Sequence, residues 1–387
     1  MVILGLNAFH ADSSAALVRD GVLVAAAEEE RFRRIKHWAG FPSDSIAYCL
    51  REARLRLEDL DHVAVNQNNL ANILRKVGFL LANRPEIGLV LKRIRNRRSR
   101  EGLSALIAEA LPGRSFRGAV HNIEHHLAHL SSAFHVSPFN EAVVVSIDGF
   151  GDFSSAAWGV GRGRDLFADR RVHFPHSLGI FYQALTQYLG FPHYGDEYKV
   201  MGLAPYGQPL QLEAMRDIVR VQSDGTFRLN LDYFTHHSAG LDMVWQGGMP
   251  VIGPVFSQYL VDRLGPMRAP EETIEQKHKD LAASMQAMFE EAFFALANAL
   301  HEKTKNPRFC LAGGCAYNSV ANGLVFDRSP YKDLYIQAAA GDAGGAIGAA
   351  YWVWNEILGN TKSFVMTHAY WGPEYDDVAI DESIDAR

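Results

Sequence analysis

The chain has 387 residues, with 38 basic against 44 acidic side chains and a formal net charge of −6. That length can bury a large core and points to two lobes, while the acidic balance argues against a general nucleic-acid binder. No apolar run reaches the length of a membrane span, and Met1-Val2-Ile3-Leu4 enters a strand with no basic leader. Three scattered cysteines, Cys49, Cys310 and Cys315, fit neither a disulfide framework nor a zinc knuckle, so a reducing cytoplasm is expected.

In chain order, Val2 to Asn7 reads as a short buried strand. Residues 13–18 and 22–27 follow it, joined by Arg19-Asp20-Gly21; Asp-Gly between apolar runs predicts a hairpin. Residues 28–37 alternate in charge and read as salt-bridged surface. Residues 44–53, after Pro42-Ser43, have a helical pattern. The run from Lys92 to Arg100 carries six positive charges and reads as a solvated connection in the first lobe, with docking to an acidic partner as the lesser reading.

The segment His125-His126-Leu127-Ala128-His129 comes next. On a helix, residues four apart share a face, so His125 and His129 can grip one metal ion. His126 has no role in this pairing, and its ring should point away. Asp148 follows a run of β-formers and precedes glycine, which places it at a strand end facing a cleft. Asp342, in a second glycine-rich loop, is a further oxygen donor. A site of two nitrogens and two oxygens suits Fe(II), Mn(II) or Zn(II) rather than calcium.

Around Asp148 the opening pattern returns. Asn7-Ala8-Phe9-His10-Ala11-Asp12-Ser13-Ser14-Ala15-Ala16 aligns with Asp148-Gly149-Phe150-Gly151-Asp152-Phe153-Ser154-Ser155-Ala156-Ala157. The two Ser-Ser-Ala-Ala runs fall in register, and Asn7 lies opposite Asp148. Each copy reads strand, polar turn, strand, turn, strand. A duplicated start of this kind predicts two α/β lobes facing a cleft, over residues 1–140 and 141–354, with 355–387 as a C-terminal segment.

Downstream, residues 194–207 mix charge, aromatics and turn residues, and read either as a surface loop or as a nucleotide contact. Residues 281–300 form an amphipathic helix whose apolar face is core; Pro307 stops it and residues 308–312 form a strand. That strand runs into Gly313-Gly314 and an expected helix, with Asn318 and Asn322 near its mouth. Glycine admits close backbone approach to a phosphate, and a helix N-terminus favours an anion. Gly341 to Gly348 is a second such loop, and neither is followed by the Gly-Lys-Ser/Thr of a Walker A loop.

Five motifs in order resemble the NodU/CmcH family of O-carbamoyltransferases: residues 28–37, the histidine cluster 125–129, Ser177-Leu178-Gly179-Ile180-Phe181-Tyr182, residues 199–207, and residues 311–318. The resemblance runs from Leu4-Gly5-Leu6-Asn7 to Trp371-Gly372-Pro373-Glu374-Tyr375. It implies a lobe similar to the tRNA threonylcarbamoyltransferase TsaD, and so duplicated RNase H-like lobes of the actin, Hsp70 and sugar-kinase (ASKHA) fold around a central cleft.

The resemblance also implies a mechanism. Carbamoyl-adenylate, made from carbamoyl phosphate and ATP, would bind in the cleft. A metal, preferably Fe(II), would be held by His125, His129, Asp148 and Asp342. An acceptor hydroxyl on a sugar or natural product would take the carbamoyl group, with His10 orienting or deprotonating it. Lys199, Gly313, Gly314, Asn318 and Gly341 carry over as nucleotide contacts. Family enzymes continue for roughly another domain's length, into a YrdC-like module that makes the adenylate. The 387 residues stop where it would begin, so the expectation is a transfer domain served by such a module in trans, with no membrane or nucleic-acid partner. Competing readings are a non-catalytic nucleotide-binding or partner module and a small-molecule kinase of the same fold. Two histidines aimed at one ion argue against the kinase, since magnesium–phosphate sites use oxygen ligands. A metallopeptidase would need His-Glu-x-x-His, and Glu124 precedes His125 instead.

Overall fold

The computed structural model describes residues 1–83, 106–107, 115–238 and 243–386; the basic run 92–100 lies outside them. Ten strands build two five-stranded sheets of one design. The first comprises β1 (Val2–Asn7), β2 (Ser14–Arg19), β3 (Val22–Glu28), β4 (His62–Val65) and β5 (Ala119–Asn122), in the order β3-β2-β1-β4-β5. The second is made by β6 (Glu141–Gly151), β7 (Ser154–Arg162) and β8 (Asp165–His173) with two later strands. Between them in sequence lie two small hairpins, β9 (Val219–Val221) with β10 (Phe227–Leu229), and β11 (Met243–Gln246) with β12 (Met249–Ile252). Then β13 (Arg308–Ala312) and β14 (Asp333–Ile336) complete the order β14-β13-β6-β7-β8.

In both sheets the first strand pairs antiparallel with the second and parallel with the fourth. The register repeats too. Adding 141 to each partner turns Leu6↔Ala15 into Ile147↔Ala156 and Gly5↔Ala16 into Ser146↔Ala157. This is the duplicated α/β architecture of the ASKHA fold. The first hairpin turns at Asp20 (φ 48) and Gly21 (φ 81), the two left-handed residues that a tight two-residue hairpin requires.

The central strands are buried on both faces, which is why they read as continuous apolar runs. In β1, Leu4 and Leu6 face a core with the helix Ser43–Glu52, while Ile3 faces the middle of the molecule. In β6, Val143, Val145 and Ile147 face the helices Leu178–Tyr188 and Gln276–Thr304, while Ala142 and Val144 face inward. The last of these helices starts five residues before the predicted 281.

Two helices fill the space between the sheets, and each crosses over. The histidine helix, His125–Phe134, follows the first sheet in sequence but packs on β6, β7 and β13 of the second. The glycine helix, Gly344–Trp352, follows the second sheet but packs on β1, β2 and β4 of the first. Its small residues make this possible. A Cβ at Gly5 would lie 1.9 Å from the Ala346 carbonyl oxygen, and one at Gly348 would lie 1.8 Å from that of Ala128. Beyond this helix the chain returns to the first sheet, where the Trp371 carbonyl accepts from Ala26 N–H and Tyr48 Oη–H.

The segment predicted as charged surface, 28–37, is partly interior. Glu29 is fully buried, and its carboxylate accepts from Asp44 N–H, Ser45 N–H and Ser45 Oγ–H at the start of the helix Ser43–Glu52. An anion there satisfies otherwise unpaired N–H groups and faces the positive end of the helix dipole.

Candidate metal centre and cleft

The histidine helix is held at its N-terminus from two sides. Glu124 caps it, accepting from Leu127 N–H at 2.9 Å and from Arg171 at 3.0 Å. Asp152, in the β6–β7 turn, accepts from His125 N–H at 2.9 Å. The strand carrying Asp148 leaves its ladder after Ile147, where the register with β7 shifts before Gly151. Asp148 is thereby freed from the sheet and turned toward the helix. Gly149 N–H donates to its Oδ1 at 2.7 Å, and Ser177 Oγ–H to its carbonyl oxygen at 2.9 Å. Asp342 arrives from the loop that opens the glycine helix.

These four side chains meet, each offering one ligand atom within 4.8 Å of the others. His129 Nε2 stands 2.9 Å from Asp148 Oδ2 and 3.5 Å from Asp342 Oδ1. His125 Nε2 stands 3.3 Å and 3.5 Å from the same atoms. The two Nε2 atoms are 3.1 Å apart. Two lone pairs so close need a proton or a cation between them, and the carboxylates bring the negative charge that holds it. The set of two imidazoles and two carboxylates fits a divalent transition metal. Among the described residues neither Nδ1 has a hydrogen-bond partner, so packing sets the rings. Gly151 lies against His125, where a Cβ would come 2.0 Å from the ring Cγ.

The same proximity shifts the protons. Burial disfavours charge on His125, but hydrogen bonding to Asp148 and the charge of Asp342 prevail and raise its pKa to about 9. His129 is raised as well, against burial and its neighbour His125, by hydrogen bonds to the two aspartates. Burial works against Asp148 too, yet the two histidines hold its carboxyl well below the usual range. Asp342 is pushed up by burial and by the charge of Asp148. His126 turns out of the cluster to Ser146 Oγ, 2.9 Å away, as its lack of a role predicts.

The centre opens into a cavity of about 330 Å³. Asp148, Asp342, Gly314 and Gly341 line it with Tyr182, Tyr194, Tyr198, Met201 and Phe289. Its charged walls are Asp12, Asp148, Glu197 and Asp342; among the described residues no lysine or arginine lines it. Residues 194–207 are therefore part of the cleft, largely as the helix Glu197–Leu203, and not only a surface loop.

The other sequence candidates distribute unevenly. His10 packs against His125 with ring centroids 5.5 Å apart. Gly314 and Gly341 line the cavity, and a Cβ at Gly314 would lie 2.9 Å from Asp148 Oδ1. Gly313 has φ 87 and lies against Ile147, and its N–H donates to the Ala340 carbonyl at 2.7 Å, so that group is committed within the fold. The helix expected after the double glycine is corrected to a 3-10 turn, Gly314–Tyr317, followed by the short helix Ser319–Gly323. Asn318 lines the cavity while capping that helix and exchanging hydrogen bonds with Gln286. Asn322 donates to the Ala316 carbonyl. Lys199 is half-buried and paired with Asp196 at 2.6 Å, outside the lining of this cavity. Sequence reasoning missed Gln183 and the pair Asp12 and His37, which line the cavity. The signal for the pair was present: Asp12 sits in the first polar turn, beside His10.

A family model described as "Carbamoyltransferase N-terminus" matches residues 2–351. The chain is 39% identical over 98% of its length to an uncharacterized protein of Synechocystis sp., covering 62% of that protein. It is 33% identical, again over 98% of its length, to the nodulation protein NolNO of Sinorhizobium fredii, covering 51% of it. The chain thus spans between half and two thirds of these relatives. A solved structure, component A of the (R)-2-hydroxyglutaryl-CoA dehydratase of Acidaminococcus fermentans, aligns over 92% of this chain and 99% of its own, with 12% identity and a TM-score of 0.46.

Proposed function

The chain belongs to the carbamoyltransferase family, and from that premise we propose that these 387 residues carry the transfer step of an O-carbamoyltransferase. The observation that carries the reading is the convergence of His125, His129, Asp148 and Asp342 on one point at the floor of an aromatic cavity. Bound by these four, a divalent transition metal, Fe(II) by preference and otherwise Mn(II) or Zn(II), would supply Lewis-acid polarisation of the acyl group.

The rest of the chemistry falls to the chain's own residues. The donor is carbamoyl-adenylate, formed by a YrdC-like module from ATP and carbamoyl phosphate. Tyr182, Tyr194, Tyr198 and Phe289 give its base an apolar, aromatic wall. Gly314 and Gly341 let the phosphate approach the backbone. The acceptor is a small molecule bearing a hydroxyl, on a sugar or other natural product. His10, packed against His125 and outside the cavity lining, would act on that hydroxyl through the ring of its neighbour. The acceptor oxygen bonds to the carbamoyl carbon, the bond to the phosphate oxygen breaks, and AMP departs with the electron pair.

The test supplies preformed carbamoyl-adenylate to metal-loaded chain with a panel of sugar and polyketide alcohols. Carbamoylated product and stoichiometric AMP are expected. Hydrolysis of the adenylate alone, or phosphorylation of the alcohols from ATP, would replace this reading with another.

A further inference from the structure

A second cavity, about 580 Å³, adjoins the first. The two share Asp12, His37, Tyr194, Gly195, Tyr198 and Tyr317, so these residues stand where a donor in one would meet an acceptor in the other. His10 lines neither. At this junction His37 is held by its backbone and by two contacts of its ring. Its Nδ1 is 2.7 Å from Asp12 Oδ1. Its backbone N–H donates to Glu30 Oε2 at 2.9 Å. Its ring meets Tyr194 edge-on, with centroids 5.1 Å apart.

Residue 195 leaves room beside the remaining nitrogen only because it has no side chain. A Cβ on residue 195 would lie 2.2 Å from His37 Nε2, and that residue is glycine with φ 86. Asp12 (φ 56) and His37 (φ 55) both adopt left-handed backbone, which other than glycine few residues take without cost and which collects at functional positions. Asp12, Glu30 and His37 also lie close enough to share a cation. Glu30, however, already pairs with Lys36 at 3.0 Å, so the trio lacks the free negative charge of the metal centre.

We propose that His37, oriented by Asp12, is the base that receives the proton of the acceptor hydroxyl, with the acceptor seated in the second cavity. This rests on the transfer reading above. As the acceptor oxygen bonds to the carbamoyl carbon and AMP leaves with the electron pair, the O–H proton passes to His37 Nε2 and then to solvent. Asp12 is a positioning residue: it accepts from Nδ1–H and so places the lone pair of the neutral ring at Nε2.

The groups facing His37 set the sign of its pH response. Burial, the largest influence, lowers its pKa; Asp12, Glu30 and Glu197 outweigh this and raise it. Lys36 is engaged with Glu30, and Tyr194 presents its ring. Transfer should rise with pH as His37 loses its proton. Asp12→Asn removes one of the three anions, so the acid limb should move to lower pH.

The experiment measures single-turnover transfer from preformed carbamoyl-adenylate to the same alcohols, across pH, with the metal-loaded full chain. His37→Gln should lower the rate about 10²-fold or more with adenylate binding near wild type, as for loss of a general base. Asp12→Asn should lower it less and shift the acid limb. Long-range 15N spectra of the wild type should show neutral His37 protonated on Nδ1. A His37→Gln rate within about twofold of an active wild type would overturn the base and leave the transfer reading standing, because that loss is far below general-base magnitudes. Inactive wild type would overturn both. A neutral ring protonated on Nε2, or a second equivalent of metal lost in Asp12→Asn, would also overturn the base.

Discussion

Replacing Gly348 by alanine should damage the metal centre without touching a ligand. The new Cβ would lie 1.8 Å from the Ala128 carbonyl oxygen and 2.9 Å from Ser132 N, both backbone atoms of the histidine helix. Reaching an ordinary separation requires the two helices to part by roughly 1.5 Å. The glycine helix follows directly on Asp342, while the other helix carries His125 and His129. Ligand distances tolerate only about 0.2 Å, so the four donors cannot keep their positions. Overpacking of this kind costs about 1–3 kcal/mol, and disturbance of the shell around a metal costs about 10- to 100-fold in affinity. Urea unfolding of the metal-free chain reads the first quantity, and titration against a competing chelator reads the second. Gly202→Ala is the control, since nothing lies within 4 Å of its Cβ and alanine in a helix is up to about 1 kcal/mol more favourable. If Gly348→Ala unfolds and binds metal as wild type does, the two helices do not pack as described.

Three more outcomes are expected. Metal must displace the proton that Asp148 and Asp342 help hold on His125, whose pKa is about 9; apparent affinity should therefore climb from pH 7 to about 9 and flatten above it, and a plateau already reached at pH 7 in the same chelator assay would contradict this. An adenylate mimic should bind metal-loaded chain and fail to bind after chelation, because the cavity walls carry carboxylates and no lysine or arginine among the described residues; equal calorimetric affinities with and without metal would refute it. Glu29→Ala removes three hydrogen bonds from the start of the helix Ser43–Glu52 and should cost about 1.5–3 kcal/mol, as for a charged hydrogen-bonding group, with unchanged stability in urea as the contrary result.

What could be read in advance followed local rules. The strands Val2–Asn7 and Arg308–Ala312 have the bounds that short apolar runs predict. The histidine spacing and the strand leading to Asp148 were enough to nominate three of the four side chains that the structure brings together, because helix periodicity and strand termination are both local. Features set by distant partners were illegible. Glu29 looks like surface charge until the helix start at Ser45 is placed over it. Gly313 and Gly314 look alike, yet one serves strand packing and the other faces the cavity. Lys199 belongs to a promising motif but pairs with Asp196, one turn away, and does not line the first cavity. His37 comes to the cleft only because Asp12, 25 residues earlier, folds back against it.

The crossed inner helices make the two lobes inseparable. Cut between them, one piece would present Ile3, Ala16 and Val18 to water, and the other Val144, Ala157 and Cys310. Each sheet is finished only by a helix that the other half supplies. The exchange puts two histidines on one of these helices and an aspartate at the head of the other, so the four donors are drawn from both halves and neither half alone carries the full set.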